Sequence, residues 1–125
     1  ITKKGDLIEL GNHRILCGDS SDLLALKRLL EKSRIDLLQT DPPYNVNYYG
    51  GNRPKADGRP KQSRQWERIY SDNMTQAEYE IWLKRIFTQI AGFLSPGAPF
   101  YVWNGHKQFG PMHSLFDKLG FHIAS

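Results

Sequence analysis

The chain has 125 residues, a formal net charge of +4, and 39% hydrophobic and 12% aromatic residues. That is enough for one domain with a real core, and it excludes a disordered or fibrous chain. No apolar run reaches the roughly 20 residues of a membrane helix and no charged-then-apolar leader opens the chain, so a soluble cytoplasmic protein is expected. Cys17 stands alone and permits no internal disulfide.

In chain order, the run Asp6-Leu7-Ile8-Glu9-Leu10, then Gly11-Asn12, then His13-Arg14-Ile15-Leu16-Cys17 predicts two short strands around a tight turn. Ser20, Ser21 or Asp22 can cap the next helix, with Leu23, Leu26 and Leu30 on its inward face. Ile35-Asp36-Leu37-Leu38-Gln39-Thr40 reads as a strand that must stop at Asp41-Pro42-Pro43, because proline cannot donate to a ladder. Residues 45–73 carry no sustained period and predict a long loop, of a length that is usually functional.

Thr75 and Glu78 form a capping box, and Tyr79, Trp82, Leu83, Ile86, Phe87 and Ile90 recur at helical spacing as one apolar stripe. Ser95-Pro96-Gly97 stops that helix, and Pro99-Phe100-Tyr101-Val102-Trp103 reads as a buried strand. A further helix turns Met112, Leu115, Phe116 and Leu119 inward and ends at Gly120. Phe121-His122-Ile123-Ala124 begins another strand. Strands alternating with helices predict an α/β fold with a largely parallel sheet, flanking helices and an N-terminal hairpin. The last strand has nothing to cover it, so residues 1–125 are expected to be part of something larger.

Ligands of open α/β sheets bind beyond the carboxyl ends of the strands, where Asp41 falls. The two prolines fix φ and remove two backbone donors, leaving carbonyls free to accept. A carboxylate, a free carbonyl and the aromatic face of Tyr44 suit an exocyclic amino group on a planar ring. The competing reading is a sharp turn whose aspartate caps a backbone group and whose tyrosine packs in the core. Arg53, Lys55, Arg59, Lys61, Arg64 and Arg68 stand against only Asp57 and Glu67, which concentrates positive charge just after this turn. Such a segment is either a solvated surface loop or a phosphate contact, with Tyr48, Tyr49 and Trp66 available for stacking. His13, His106, His113 and His122 show no ligand spacing, and no metal site is expected. His106 and Trp103-Asn104 lie at a strand end, as cleft or as ordinary loop and core residues.

Asp41-Pro42-Pro43-Tyr44 with Asn45 after it resembles the catalytic signature of amino-methyltransferases acting on adenine N6 or cytosine N4 in DNA. The stretch from Leu10 to Ser20 resembles the segment that precedes this signature in bacterial and phage members. The helix from Thr75 and the Leu94-Ser95-Pro96-Gly97 strand entrance are similar to the segments downstream of the signature in those members. The resemblance implies a Rossmann-like S-adenosylmethionine-dependent methyltransferase fold, partial here. It implies that Asp41 and the carbonyl of Pro42 hold the target amine and that Tyr44 stacks on a flipped base. Asp19 matches the position that contacts the adenine of S-adenosylmethionine, although it can equally cap the next helix. Aspartate at position 41 favours adenine, and double-stranded DNA and a restriction endonuclease become the implied partners.

The F-x-G-x-G turn that binds the donor in this family does not occur in this sequence. In the permuted members it lies downstream, which would put it beyond Ser125 and leave this chain alone inactive. The competing functions are a related methyltransferase acting on RNA or on protein glutamine, which more often carries Asn at position 41, and a non-catalytic nucleic-acid-binding module.

Overall fold

A computed structural model of the protein describes residues 1–48, 69 and 71–124. The chain divides into two units, one built from Ile1–Thr40 and Ile81–Val102, the other from Asp41–Glu80 and Trp103–Ser125.

The first unit opens with a hairpin. Strands β1 (Leu7–Leu10) and β2 (His13–Leu16) pair antiparallel with Leu10 opposite His13. Gly11 takes φ +61°, which a two-residue turn with glycine first demands. Strand alternation puts Ile8 opposite Ile15 on an exposed face and Glu9 opposite Arg14 on the other. The Arg14 guanidinium reaches Glu9 at 3.1 Å, Glu31 at 2.8 Å and the Leu29 carbonyl at 3.2 Å. One side chain thus ties the hairpin to the C-terminal end of helix α1 (Leu23–Leu30).

Asp22 caps α1, its carboxylate accepting from the Leu24 amide at 2.9 Å. The half-buried face is Ala25, Leu26, Leu29 and Leu30, two i,i+4 pairs. Leu23, expected inward, is 38% exposed because it sits in the first turn beside the cap.

Strand β3 (Leu38–Thr40) pairs parallel with β4 (Phe100–Val102), Leu38 opposite Phe100. The pairing is extended by a parallel bridge from Ile35 to Leu94. Asp36 accepts from the Ser95 hydroxyl at 2.7 Å, and Arg34 donates to the carbonyls of Gly92 and Leu94. A parallel pair needs a crossover, and helix α2 (Gln76–Ala91) lies within it. The stripe on α2 is buried as its spacing predicts: Leu83, Ile86, Phe87 and Ile90 are at most 6% exposed. At about 1.5–3 kcal/mol per buried side chain, it is the main apolar contribution to this unit.

In the second unit the capping box forms in full. The Thr75 amide donates to Glu78 Oε2 at 2.9 Å and the Glu78 amide to Thr75 Oγ1 at 3.3 Å. Their bond holds the Glu78 carboxyl below its ordinary range, the Thr75 side chain contributing more than its backbone. A 3₁₀ turn (His106–Gln108) leads into helix α3 (Phe109–Lys118), which buries Met112 and Phe116. Buried Gln108 exchanges amide hydrogen bonds with Gln76 at 3.1 and 3.3 Å.

Helix α3 ends in a complete Schellman motif. Gly120 takes φ +78°, its amide donates to Asp117 and the Phe121 amide to Phe116, both at 3.0 Å. The Phe121 ring then packs edge-on against Phe116, centroids 5.8 Å apart. This corrects the strand expected at 121–124: Phe121 is committed to the helix end, and no neighbouring strand pairs with the segment among the described residues. Among the described residues the strands form a parallel pair and a separate antiparallel hairpin, so the expected parallel sheet with its N-terminal hairpin is present as two small sheets. The strand at 99–103 is half-exposed rather than buried, with Tyr101 and Trp103 each 60% exposed.

Candidate active site

Asp41 is the first residue after β3, at the carboxyl end of a parallel strand. Its carboxylate accepts from the Tyr44 hydroxyl at 2.6 Å. That bond, with smaller contributions from burial and the Asp41 charge, pushes the Tyr44 phenol above its ordinary value. Tyr44 is half-buried rather than core, and the partner of Asp41 is a side chain, not a backbone amide.

The two prolyl carbonyls differ. Pro43's accepts from the Tyr79 hydroxyl at 2.6 Å, which corrects the expectation that both stand free. Pro42's accepts no hydrogen bond from the described residues. Tyr79 is fully buried in the first turns of α2, and burial, then the charge of Asp72 and the neighbouring Tyr44, pushes its phenol up to about 12.

The chain beyond Tyr44 is held by three further groups. Asn45 takes φ +56° and pairs through its amide with both backbone groups of Met74, at 3.0 and 2.7 Å. Asp72, 3% exposed, accepts from the amides of Val46 at 3.1 Å and Tyr48 at 2.6 Å. Its backbone carbonyl takes the Asn47 amide at 2.7 Å, and Asn47 too has positive φ, +52°. Asparagine tolerates this left-handed conformation better than other side chains do. Gly105 closes the surroundings of Tyr44: a Cβ there would lie 3.3 Å from Tyr44 Cβ.

Sequence reading singled out Asp41, Pro42, Pro43 and Tyr44 with Asn45 after them, and the second unit places Asp72, Tyr79 and Gly105 around them. Those three were not read from the sequence as parts of the same arrangement. Tyr79 carried a readable signal, a phenol tip at the start of an otherwise apolar stripe. Asp72 carried none, since its partners are backbone amides more than twenty residues away.

In the first unit, Asp19 accepts from the Ser21 amide at 2.8 Å, a local turn bond, while Asp22 takes the cap. Asp19 lines a cavity of about 210 Å³ with Leu16, Gly18, Leu24, Ala25 and Arg28. Arg53, Lys55, Arg59, Lys61, Arg64 and Arg68, with Tyr49 and Trp66, lie outside the described residues. The residues on either side of that segment meet at Asp72 through Asn47 and Tyr48. His13, His106, His113 and His122 are all exposed, and no group of metal-ligating side chains gathers among the described residues. No described helix is long and apolar enough to cross a membrane.

Comparison with known proteins supports one class, the DNA methyltransferases. The likeness is to the type II methyltransferase M.EcaI of Enterobacter cloacae, 31% identical over 101 residues. That stretch is 80% of this chain and 20% of the relative, so the chain spans about a fifth of the length of the curated relative it matches. No family model matches the chain, and no solved structure matches it.

Proposed function

We propose that the chain is the base-holding part of a DNA amino-methyltransferase with a Rossmann-like fold, acting on adenine N6. The observation that carries this reading is the pair of acceptors at Asp41 and Pro42 beside the Tyr44 phenol, directly after a parallel strand. In this reading a flipped base brings an exocyclic NH₂ whose two N–H donors go to the Asp41 carboxylate and the Pro42 carbonyl. The Tyr44 hydroxyl gives up its bond to Asp41, and the ring lies against the base. Holding both amine protons raises electron density on the nitrogen, whose lone pair forms the new N–CH₃ bond while the C–S bond breaks. The C–S electron pair would remain with the donor's thioether, and the amine proton would pass to Asp41 or to water. S-adenosylmethionine, when bound, supplies the electrophilic methyl group.

The described residues fit that donor in part. The cavity at Asp19, about 210 Å³, is below the usual 300–1,000 Å³ of small-molecule sites. Its lining sets Asp19 and Asp22 beside Lys4 and Arg28 around apolar Leu16, Leu24 and Ala25, room for an adenine ring in contact with Asp19 but not for the whole donor. Arg53, Lys55, Arg59, Lys61, Arg64 and Arg68 would neutralise phosphates of double-stranded DNA and contribute affinity and salt dependence rather than sequence choice. A cognate restriction endonuclease is the partner this reading expects.

The test is methyl transfer from S-adenosylmethionine to unmethylated duplex DNA by the gene product that contains this chain, wild type beside Asp41→Ala, with nucleosides analysed by mass. N6-methyladenine from wild type alone supports the reading. Transfer that survives in Asp41→Ala overturns it. Tight DNA binding without transfer by either protein would favour a binding module instead.

A further inference from the structure

The backbone of the tetrapeptide is stiff at almost every torsion. The rings of Pro42 and Pro43 fix both their φ angles. A proline next in the chain confines the ψ of Asp41 and of Pro42 to the extended region. Between the Cα atoms of Asp41 and Tyr44 one soft torsion is left, the ψ of Pro43, and it decides both where the Pro43 carbonyl points and where the Tyr44 backbone is carried. The Tyr79 hydroxyl is bonded to that carbonyl at 2.6 Å.

We infer that Tyr79 is a positioning residue that fixes this last torsion and so holds Tyr44 in place for stacking on the target base. The inference rests on the proposed function and adds a role for a residue whose place in the sequence suggested only core packing. Three observations bear on it. Tyr79 is fully buried, so water does not compete for the bond. Its phenol, held near 12, remains a donor across any working pH. Tyr44 is also bounded by Gly105, where a Cβ would stand 3.3 Å from Tyr44 Cβ. A fixed carbonyl and a close glycine leave Tyr44 a narrow choice of position. Tyr79 touches neither base nor donor in this account; it acts through the Pro43–Tyr44 peptide.

The experiment uses the same gene product and duplex DNA, with 2-aminopurine at the target adenine for fluorescence and adenine for turnover. Tyr79→Phe keeps the buried ring and deletes the hydroxyl. The expected result is a roughly ten-fold fall in kcat at unchanged KM for S-adenosylmethionine, that factor being the usual cost of about 1.4 kcal/mol from one lost hydrogen bond. Flipped 2-aminopurine should also fluoresce several-fold more brightly than with wild type, because it is extruded but no longer stacked on Tyr44. A merely structural role would lower the melting temperature and leave the emission per bound complex unchanged, and that result overturns the inference. Gly105→Ala provides a second approach that leaves Tyr79 intact: crowding Tyr44 should raise the emission in the same way, and wild-type emission from that variant counts against a confined Tyr44. If wild type itself transfers no methyl group, the proposed function has failed. If wild type transfers and Tyr79→Phe matches it in both rate and emission, only the role of Tyr79 has failed.

Discussion

Two acidic turns come after strands in this chain, and they are built differently. Asp19, after β2, bonds the amide two residues on and lies in a locally closed turn. Asp41, after β3, bonds a phenol, while the chain behind it is anchored to residues 72–79 through Asn45, Asp72 and Tyr79. A local turn bond is satisfied by the sequence that makes it. An anchored turn needs distant groups, and among the described residues the Asp41 carboxylate is engaged by the Tyr44 hydroxyl, a neighbour that can move away. The contrast separates an aspartate that holds its own backbone from one held in place by other residues.

That contrast can be broken by mutation. The largest effect is expected at Asp41: Asp41→Ala should reduce methyl transfer by about 10²–10³-fold, as when an organising group at a reacting centre is removed. Thermal stability should stay within about 0.5 kcal/mol of wild type, as for surface substitutions. A large loss of stability there would mean the aspartate is structural after all. Asp72→Ala should do the reverse. It strands two amides at a cost of about 1–3 kcal/mol each, and equilibrium denaturation would read a loss of several kcal/mol. Asp19→Ala should cost at least about 1 kcal/mol through its turn hydrogen bond to Ser21; a raised KM for S-adenosylmethionine at unchanged stability would instead assign Asp19 to the donor.

The smallest effect belongs to Glu78, whose carboxyl is held below its ordinary value by Thr75. A lowered folded value means the stabilisation is complete above the unfolded value and is lost as pH falls through the folded one. The difference in melting temperature between wild type and Glu78→Gln should therefore be present at neutral pH and close on acidification, below the ordinary glutamate range.

The elements with local signals were legible in the sequence. The Gly11-Asn12 hairpin, the Thr75–Glu78 box, the α2 stripe and the Gly120 helix stop all formed where their residues predict. So did the strand stop at Asp41, since a pair of prolines cannot continue a ladder. The illegible parts depend on partners distant in sequence. Phe121 alternates like a strand residue, and only its packing on Phe116 reveals a helix-end contact. Whether the parallel pair and the hairpin share a sheet depends on pairing that no local pattern encodes. The candidate tetrapeptide stood out in the sequence, but the groups that anchor it did not. Asn45, Asp72 and Tyr79 work through backbone groups, which leave no complementary side chain to find.

The β3–β4 register has a kinetic consequence. The bonds that fix it, from Arg34 to Gly92 and Asp36 to Ser95, span 58 and 59 residues. A hairpin such as β1–β2 closes in about 1–10 μs, whereas the parallel pair must first bring distant chain segments together. Each doubling of the intervening length adds only about 0.6 kcal/mol to that closure. Insertions between the two strands should therefore slow folding of the first unit and lower its stability only by that same small closure cost. Stopped-flow refolding of length variants would show slower folding rates with nearly constant unfolding rates, so that segment can vary in length while the strand pairing keeps its register.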